Sequence, residues 1–170
     1  MPFPDHVETA RLTLDRPRLE DLSGLQAVIA DPRVGEHQFP ARFRTAELTE
    51  SLLQRALSHW DEHGFGPWVV RRHAELIGRA GLMTSEFEGR ACVEAKWFLD
   101  PGHWGHGYAT EAARAAIEAG FTQLGLTEIL AWTMTTNLPS QAVMRRLGFE
   151  EIGSIERAGL PHVAFALRRT

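Results

Sequence analysis

The run Asp100-Pro101-Gly102-His103-Trp104-Gly105-His106-Gly107-Tyr108-Ala109-Thr110-Glu111 decides how the chain is read. It leaves a strand and enters a helix. Gly105 and Gly107 carry no side-chain bulk, so successive backbone N–H groups can close on an anion. The unpaired donors of a helix's first turn add favourable charge, which suits a pyrophosphate. Thr110 either caps the helix or offers its hydroxyl to phosphate. A glycine-rich connector with a threonine cap is the plainer reading of the same letters. There is no G-x-x-x-x-G-K-S/T loop, and the spacing is not the G-x-G-x-x-G of a dinucleotide turn, which argues against kinase, GTPase or dehydrogenase chemistry.

Upstream of this run, Ala91 to Leu99 reads as a strand stopped by Asp100-Pro101-Gly102. Trp68 to Arg71 and Leu76 to Leu82, separated by a turn near His73 and Ala74, complete an antiparallel meander. Further back, Leu22, Leu25 and Ile29 set a helix over Leu19 to Ile29 that Asp31 and Pro32 end. Leu48, Leu52, Leu53, Ala56, Leu57 and Trp60 stripe a second helix, from Thr49 or Ser51 to His59 or beyond. The loop His37 to Arg44 between them can line a substrate entrance. Arg11 to Leu14 is a first short strand.

Downstream, a helix from about Thr110 to Leu124 meets Gly125, followed by a strand at Glu128 to Thr133 and a short helix at Ser140 to Leu147. Strands around Phe149 to Ile155 and His162 to Leu167 close the chain. The order gives a mixed α/β fold. The 170 residues fit one domain, and neither internal repeat nor linker divides them.

The composition, 44% hydrophobic and 24% charged, is that of a globular domain. A net charge of -4 gives no overall attraction to nucleic acid or to an anionic membrane. No stretch has the length of a membrane span and the start lacks a secretory pattern, so the expected location is the cytoplasm. Cys92 is the only cysteine; apolar neighbours mark it as a buried small hydrophobe rather than a nucleophile. His103 and His106 lack a third ligand nearby, so no metal is expected.

Four separated pieces, in order, carry a resemblance: Thr9-Ala10-Arg11-Leu12-Thr13-Leu14, the loop Gly102 to Glu111, Asn137-Leu138-Pro139-Ser140, and Leu147-Gly148-Phe149. Together they resemble the GNAT superfamily of N-acetyltransferases, and within it the branch of ribosomal-protein N-terminal acetyltransferases (RimJ/RimL-like). The resemblance spans one domain, residues 8–168, after a short extension, residues 1–7. It implies a GNAT-like acyl-CoA N-acyltransferase fold, a twisted mixed sheet of six or seven strands flanked by about four helices and splayed between strands four and five. It also implies acetyl-CoA as co-substrate, with pantetheine pairing near Trp97, Phe98 and Leu99. The pyrophosphate would be held by the loop of Trp104, Gly105, His106, Gly107, Tyr108, Ala109 and Thr110. Where the family has glutamine or arginine at the loop entrance, this chain has Gly102, which leaves only the backbone cradle.

Acetyl transfer from a thioester needs an uncharged amine, a held oxyanion and a protonated leaving thiol. Glu94, next to the apolar run Ala91-Cys92-Val93, is the candidate base or a carboxylate that orients the amine, since burial raises a carboxylate toward neutrality. The competing reading is a salt bridge with Arg79 or Lys96. Asn137 fits a helix cap; the resemblance instead has it orient water or cofactor, and has Ser140 contact CoA or protonate its sulfur. Many relatives place a tyrosine acid where this chain has Met144, which leaves Ser140, a water or no dedicated acid. The expected acceptor mouth joins Val34 to Arg44, Gly64 to Trp68, Thr84 to Arg90 and the hairpin around Arg157 to Pro161. Trp68, Trp97, Trp104 and Trp132 are its candidate walls, with core packing as the alternative. The acceptor is either a protein N-terminus or a small amine, and a CoA-binding module without turnover is the other class. A homodimer through an edge strand or the final hairpin is an open arrangement.

Overall fold

The computed structural model describes residues 1–36 and 45–170. Residues 37–44, the expected entrance loop and part of the first of the four segments of the expected mouth, lie outside the described residues. The strands are β1 (His6–Glu8), β2 (Thr13–Asp15), β3 (Pro67–Arg72), β4 (Glu75–Phe87), β5 (Arg90–Leu99), β6 (Glu128–Met134), β7 (Glu150–Arg157) and β8 (Leu160–Arg168). The helices are α1 (Leu22–Ala30), α2 (Pro32–Gly35), α3 (Ala46–His63), α4 (Tyr108–Thr122) and α5 (Leu138–Arg146).

The strands form one sheet in the order β1-β2-β3-β4-β5-β6-β8-β7. Every described pairing is antiparallel except β5 with β6, which is parallel. Among the described residues the sheet therefore has eight strands rather than six or seven. The additional one is β1, which pairs with β2 across Val7 and Leu14. Nor do residues 1–7 stand apart from the fold. Phe3 is buried and stacks on Trp68 at 4.9 Å between ring centroids, and Trp68 Nε1 donates to the Pro4 carbonyl at 2.9 Å.

The two faces of the sheet follow the two-residue period of its strands. Leu82 on β4 and Ala95, Trp97 and Leu99 on β5 bury themselves with Ala112, Ala113, Ala116 and Ile117 of α4. On the opposite face Val69 and Phe98 pack with Leu25, Val28 and Ile29 of α1 and Leu53 of α3. Burying a side chain such as Ile117 stabilises the fold by roughly 1.5–3 kcal/mol, so the α4 stripe is a main anchor.

Helix α3 begins at Ala46, ahead of the expected Thr49 or Ser51. Thr45 supplies the reason: its hydroxyl accepts from the Leu48 N–H at 3.2 Å and caps the helix. Strand β4 also outruns its expected end at Leu82 and continues to Phe87, because each of Met83 to Phe87 has a partner on β5.

The pairing between β5 and β6 decides where a ligand can enter. The parallel register is held at Glu94 opposite Leu130, and past that point toward Leu99 the strands separate. The splay expected between strands four and five thus falls between β5 and β6 once β1 is counted.

Candidate functional site

A cleft of about 690 Å³ opens where β5 and β6 part. It is floored by Trp97, Phe98 and Leu99, walled by Trp104, Gly105 and Gly107 to Thr110 at the start of α4, and closed by Asn137, Ser140 and Val143 of the α5 region. Of the twelve residues expected to hold a cofactor, His106 alone is missing from this lining. Its carbonyl is turned to Arg11, whose Nη1 donates to it at 2.8 Å. Its ring sits 5.5 Å from that of Tyr108.

The loop is built as an anion cradle. Gly105 and Gly107 both adopt φ of +79°, a region that side chains strain to enter, and a Cβ at Gly105 would meet open space. The constraint there is therefore backbone conformation. Gly107, rather than Thr110, occupies the cap position of α4. Thr110 lies in the first turn, its Oγ1 buried and without a hydrogen-bond partner. A hydroxyl in that state costs free energy unless something arrives to bond it. The open φ values, the helix start and the orphan hydroxyl line one end of one cleft, and they fit the diphosphate of a CoA thioester.

The segment Thr9 to Arg11, a hundred residues earlier in the chain, locks the cradle. Thr9 Oγ1 donates to Glu111 Oε1 at 2.7 Å, the Arg11 N–H donates to the same oxygen at 2.8 Å, and Arg11 Nε donates to Oε2 at 2.7 Å. The Arg11 guanidinium also lies 4.6 Å over the Tyr108 ring. Burial alone would raise the Glu111 carboxyl, but these donors outweigh it and hold the carboxyl below its ordinary range. Reading the sequence for the site overlooked Arg11 and Glu111 as partners, although both stand inside the pieces that carried the resemblance.

At the other end of the cleft, Asn137 is 5% exposed and caps α5, its Oδ1 accepting from the Ser140 N–H at 3.3 Å. Its Nδ2 donates to Thr133 Oγ1 at 2.8 Å and to Ser140 Oγ at 3.1 Å. Ser140 Oγ therefore accepts from Asn137 and keeps its own proton to give. Met144 is buried beside them and offers no acid. Arg146 of α5, exposed, and Arg33 of α2 join the lining in places the sequence did not mark, and Val34 of α2, expected at the acceptor mouth, lines this cleft as well.

Glu94 does not line this cleft. It is 3% exposed and points, like Phe98, to the face covered by α1 and α3. Lys96 Nζ lies 3.0 Å from Oε2, so Lys96 rather than Arg79 is the ion-pair partner, although the contact lacks hydrogen-bond alignment. Burial pushes the Glu94 carboxyl up, while Lys96 and Ser85 pull it down without cancelling the rise. Trp97 and Trp104, candidate walls of the acceptor mouth, line this cleft together with the residues expected to hold the cofactor, and Trp104 Nε1 donates to the Leu99 carbonyl at 2.9 Å. Trp68 is a core residue with no exposure. Trp132 sits apart from the cleft, under the Arg157 guanidinium at 4.2 Å. His103 is tied to Asp100 at 3.2 Å, and no metal-holding cluster of three occurs among the described residues.

Residues 11–150 match the acetyltransferase (GNAT) domain family. The chain belongs to that family. Within it, this GNAT protein is 32% identical over 148 residues to the uncharacterized N-acetyltransferase p20 of Bacillus licheniformis, covering 85% of this chain and 82% of the relative. It is 26% identical over 152 residues to the uncharacterized N-acetyltransferase YnaD of Bacillus subtilis, covering 89% and 86%. Among solved structures, the GNAT fold matches the acetyltransferase from Agrobacterium tumefaciens str. C58 with a TM-score of 0.83 at 24% identity, over 96% of this chain and 94% of that one. Mycobacterium smegmatis RimJ in complex with CoA-disulfide matches with a TM-score of 0.80 at 20% identity, over 98% and 88%. No helix among the described residues is long and apolar enough to cross a membrane.

Proposed function

We propose that this GNAT protein is an N-acetyltransferase that moves the acetyl group of acetyl-CoA to a primary amine, directly and within a ternary complex. The observation that carries the reading is the orphan Thr110 hydroxyl beside the Gly105 and Gly107 cradle, at one end of a cleft whose other end holds the Asn137 and Ser140 pair. When bound, acetyl-CoA supplies an activated thioester. The residues of the chain do the rest. Gly105 to Thr110 would hold the diphosphate, with Arg146 at the rim. Asn137 fixes Ser140 so that its hydroxyl proton is available to a departing sulfur. Glu94, raised by burial, would draw the proton from an ammonium that reaches it on the α1 and α3 face.

The acceptor is a protein N-terminus, as the resemblance to the RimJ/RimL branch suggests, or a small amine. Structural likeness to the CoA complex of RimJ supports the donor half of this choice more than the acceptor half. A cytoplasmic enzyme is consistent with the whole. Two observations favour a second reading, a CoA-binding module without turnover: Met144 stands where many relatives carry the acid, and Glu94 is engaged by Lys96. Thiol release from acetyl-CoA, followed across a panel of small amines and free-amine peptides with products identified by mass, tests both. Transfer to any class of amine supports the enzyme; tight CoA binding with no release above background across the panel would replace it with the module.

A further inference from the structure

Arg79 is a cation placed where cations are rarely left alone. It sits on β4 between Val69 of β3 and Phe98 of β5, directly opposite both in register, and only 8% of it is exposed. Its guanidinium lies 5.3 Å over the Phe98 ring, and that ring lines the cleft. Among the described residues no carboxylate comes within 4.0 Å of it; Glu94, the acid on the same face, pairs with Lys96 and attracts Arg79 only from a longer distance. The other charge acting on it, Arg55 of α3, repels. Burial and that repulsion lower its pKa to about 10, so at neutral pH it remains charged. A buried guanidinium facing an aromatic ring and a second cation is destabilising as it stands, and a fork of five donors is suited to a planar carboxylate.

We propose that Arg79 anchors a carboxylate carried by the acceptor, so that the amine and the acid of one acceptor lie along the α1 and α3 face of β4 and β5. The proposal rests on the transferase reading and deepens it by naming the acceptor's second group. Arg79 and Glu94 share this face: Arg79 pairs with Phe98 and Met83 pairs with Glu94, four residues along each strand, an even step that keeps both side chains on one side. An acceptor with its amine toward Glu94 and its acid toward Arg79 meets a complementary charge at each end. The carboxylate belongs either to a free amino acid or to an acidic side chain near a peptide's N-terminus; the chemistry at Arg79 is the same.

Matched acceptors test this. Free amino acids are compared with their carboxamides, and peptides with Asp or Glu after the first residue with their Asn or Gln counterparts, in the wild type, Arg79→Met and Arg79→Lys. The wild type should favour the acid over the amide by roughly tenfold or more in kcat/KM, as a charge-assisted hydrogen bond would give. The ratio should fall toward one in Arg79→Met and be partly kept in Arg79→Lys. The arm that shows the preference names the source of the carboxylate. A second readout needs no turnover: butyrate, but not butyramide, should raise the melting midpoint of the CoA-bound wild type, and Arg79→Met should lose that response. Carboxylate stabilisation without transfer would sink the transferase reading and leave the anchor standing. Transfer with no preference for the acid, or a preference that survives Arg79→Met, would sink the anchor and leave the transferase. If Arg79→Met does not fold, the acid-to-amide ratio of the wild type and its change in Arg79→Lys decide the matter.

Discussion

Arg11 holds Glu111 twice, once through its backbone N–H at 2.8 Å and once through Nε at 2.7 Å, and with the same guanidinium it fixes the carbonyl of His106. That carbonyl belongs to the peptide plane that carries the Gly107 N–H on its opposite side, so pinning the oxygen sets the direction of the hydrogen. An N-terminal segment thereby aims a donor at the start of α4.

Arg11→Ala should release that plane. The expected outcome is a loss of about 1–2 kcal/mol in stability, from charged hydrogen bonds at a half-exposed site, with a several-fold rise in the KM for acetyl-CoA and little change in kcat. Arg11→Lys should not restore KM, since a single ammonium cannot serve Glu111 and His106 together. An unchanged KM in Arg11→Ala would show that the clamp is merely structural.

Glu111 gives the same contact a pH signature. Its carboxyl is held below the ordinary 4.5 in the folded protein, so the folded state resists protonation more than the unfolded one does. Its contribution to stability is therefore complete above about 4.5 and is lost as pH falls through the lower, folded value. Melting midpoints of the wild type and Glu111→Gln should differ at neutral pH and converge in acid. Parallel curves would mean that the charge of Glu111 contributes nothing.

Thr110→Val separates ligand contact from folding. The hydroxyl has no partner, so its removal should leave the melting midpoint unchanged or higher while raising the KM for acetyl-CoA roughly tenfold, the worth of one hydrogen bond to a charged phosphate. Thr110→Ser should behave as the wild type. A lower midpoint with an unaltered KM would place the hydroxyl in the packing instead.

Much of this arrangement was legible because it is written in local chemistry. Asp100-Pro101-Gly102 stops a strand, paired glycines bend the loop, and Asn137 three residues before Ser140 reads as a cap, which it is. What escaped the sequence is long-range. Nothing around Arg11 says that its partner is Glu111, and a three-residue strand such as β1 has too few side chains to show a period. The ambiguity over Glu94 was resolved by register: facing Met83 on the α1 and α3 side puts Lys96, two residues on, within reach. For Thr110 the two readings, helix cap or phosphate donor, part only in three dimensions: Gly107 takes the cap position and leaves the hydroxyl without a partner.

Ser140→Ala tests the proton donor. Because Ser140 Oγ already accepts from Asn137 Nδ2, its remaining role in the cleft is to donate. Losing it should lower kcat by about 10²-fold, within the range of general acid catalysis, with a smaller effect on KM for acetyl-CoA. Asn137→Ala should lower kcat as well and also destabilise the start of α5 by about 1 kcal/mol through the lost cap. A kcat unmoved by Ser140→Ala would assign the proton to solvent.

Glu94→Gln distinguishes a base from a structural ion pair through the rate and its pH profile, while its stability reads the cost of burying the charge. Burial holds the Glu94 carboxyl above 4.5, so the folded state takes up its proton more readily than the unfolded chain. Stability then falls as pH rises from 4.5 through the raised value, and above that window the full cost of burying the charge is present. Replacing the acid by an amide removes that cost at neutral pH, and Lys96, with 38% of its side chain exposed, stays hydrated without its partner. Glu94→Gln should therefore melt higher than the wild type at neutral pH and match it below about 4.5. Its kcat/KM should fall by roughly 10²–10⁴-fold, and the rising limb of the pH–rate profile should disappear. If Glu94 only pairs with Lys96, the variant will keep its kcat/KM and that limb, and the base must be sought elsewhere on the α1 and α3 face; a lower melting point at neutral pH would show instead that the ion pair outweighs the cost of burial.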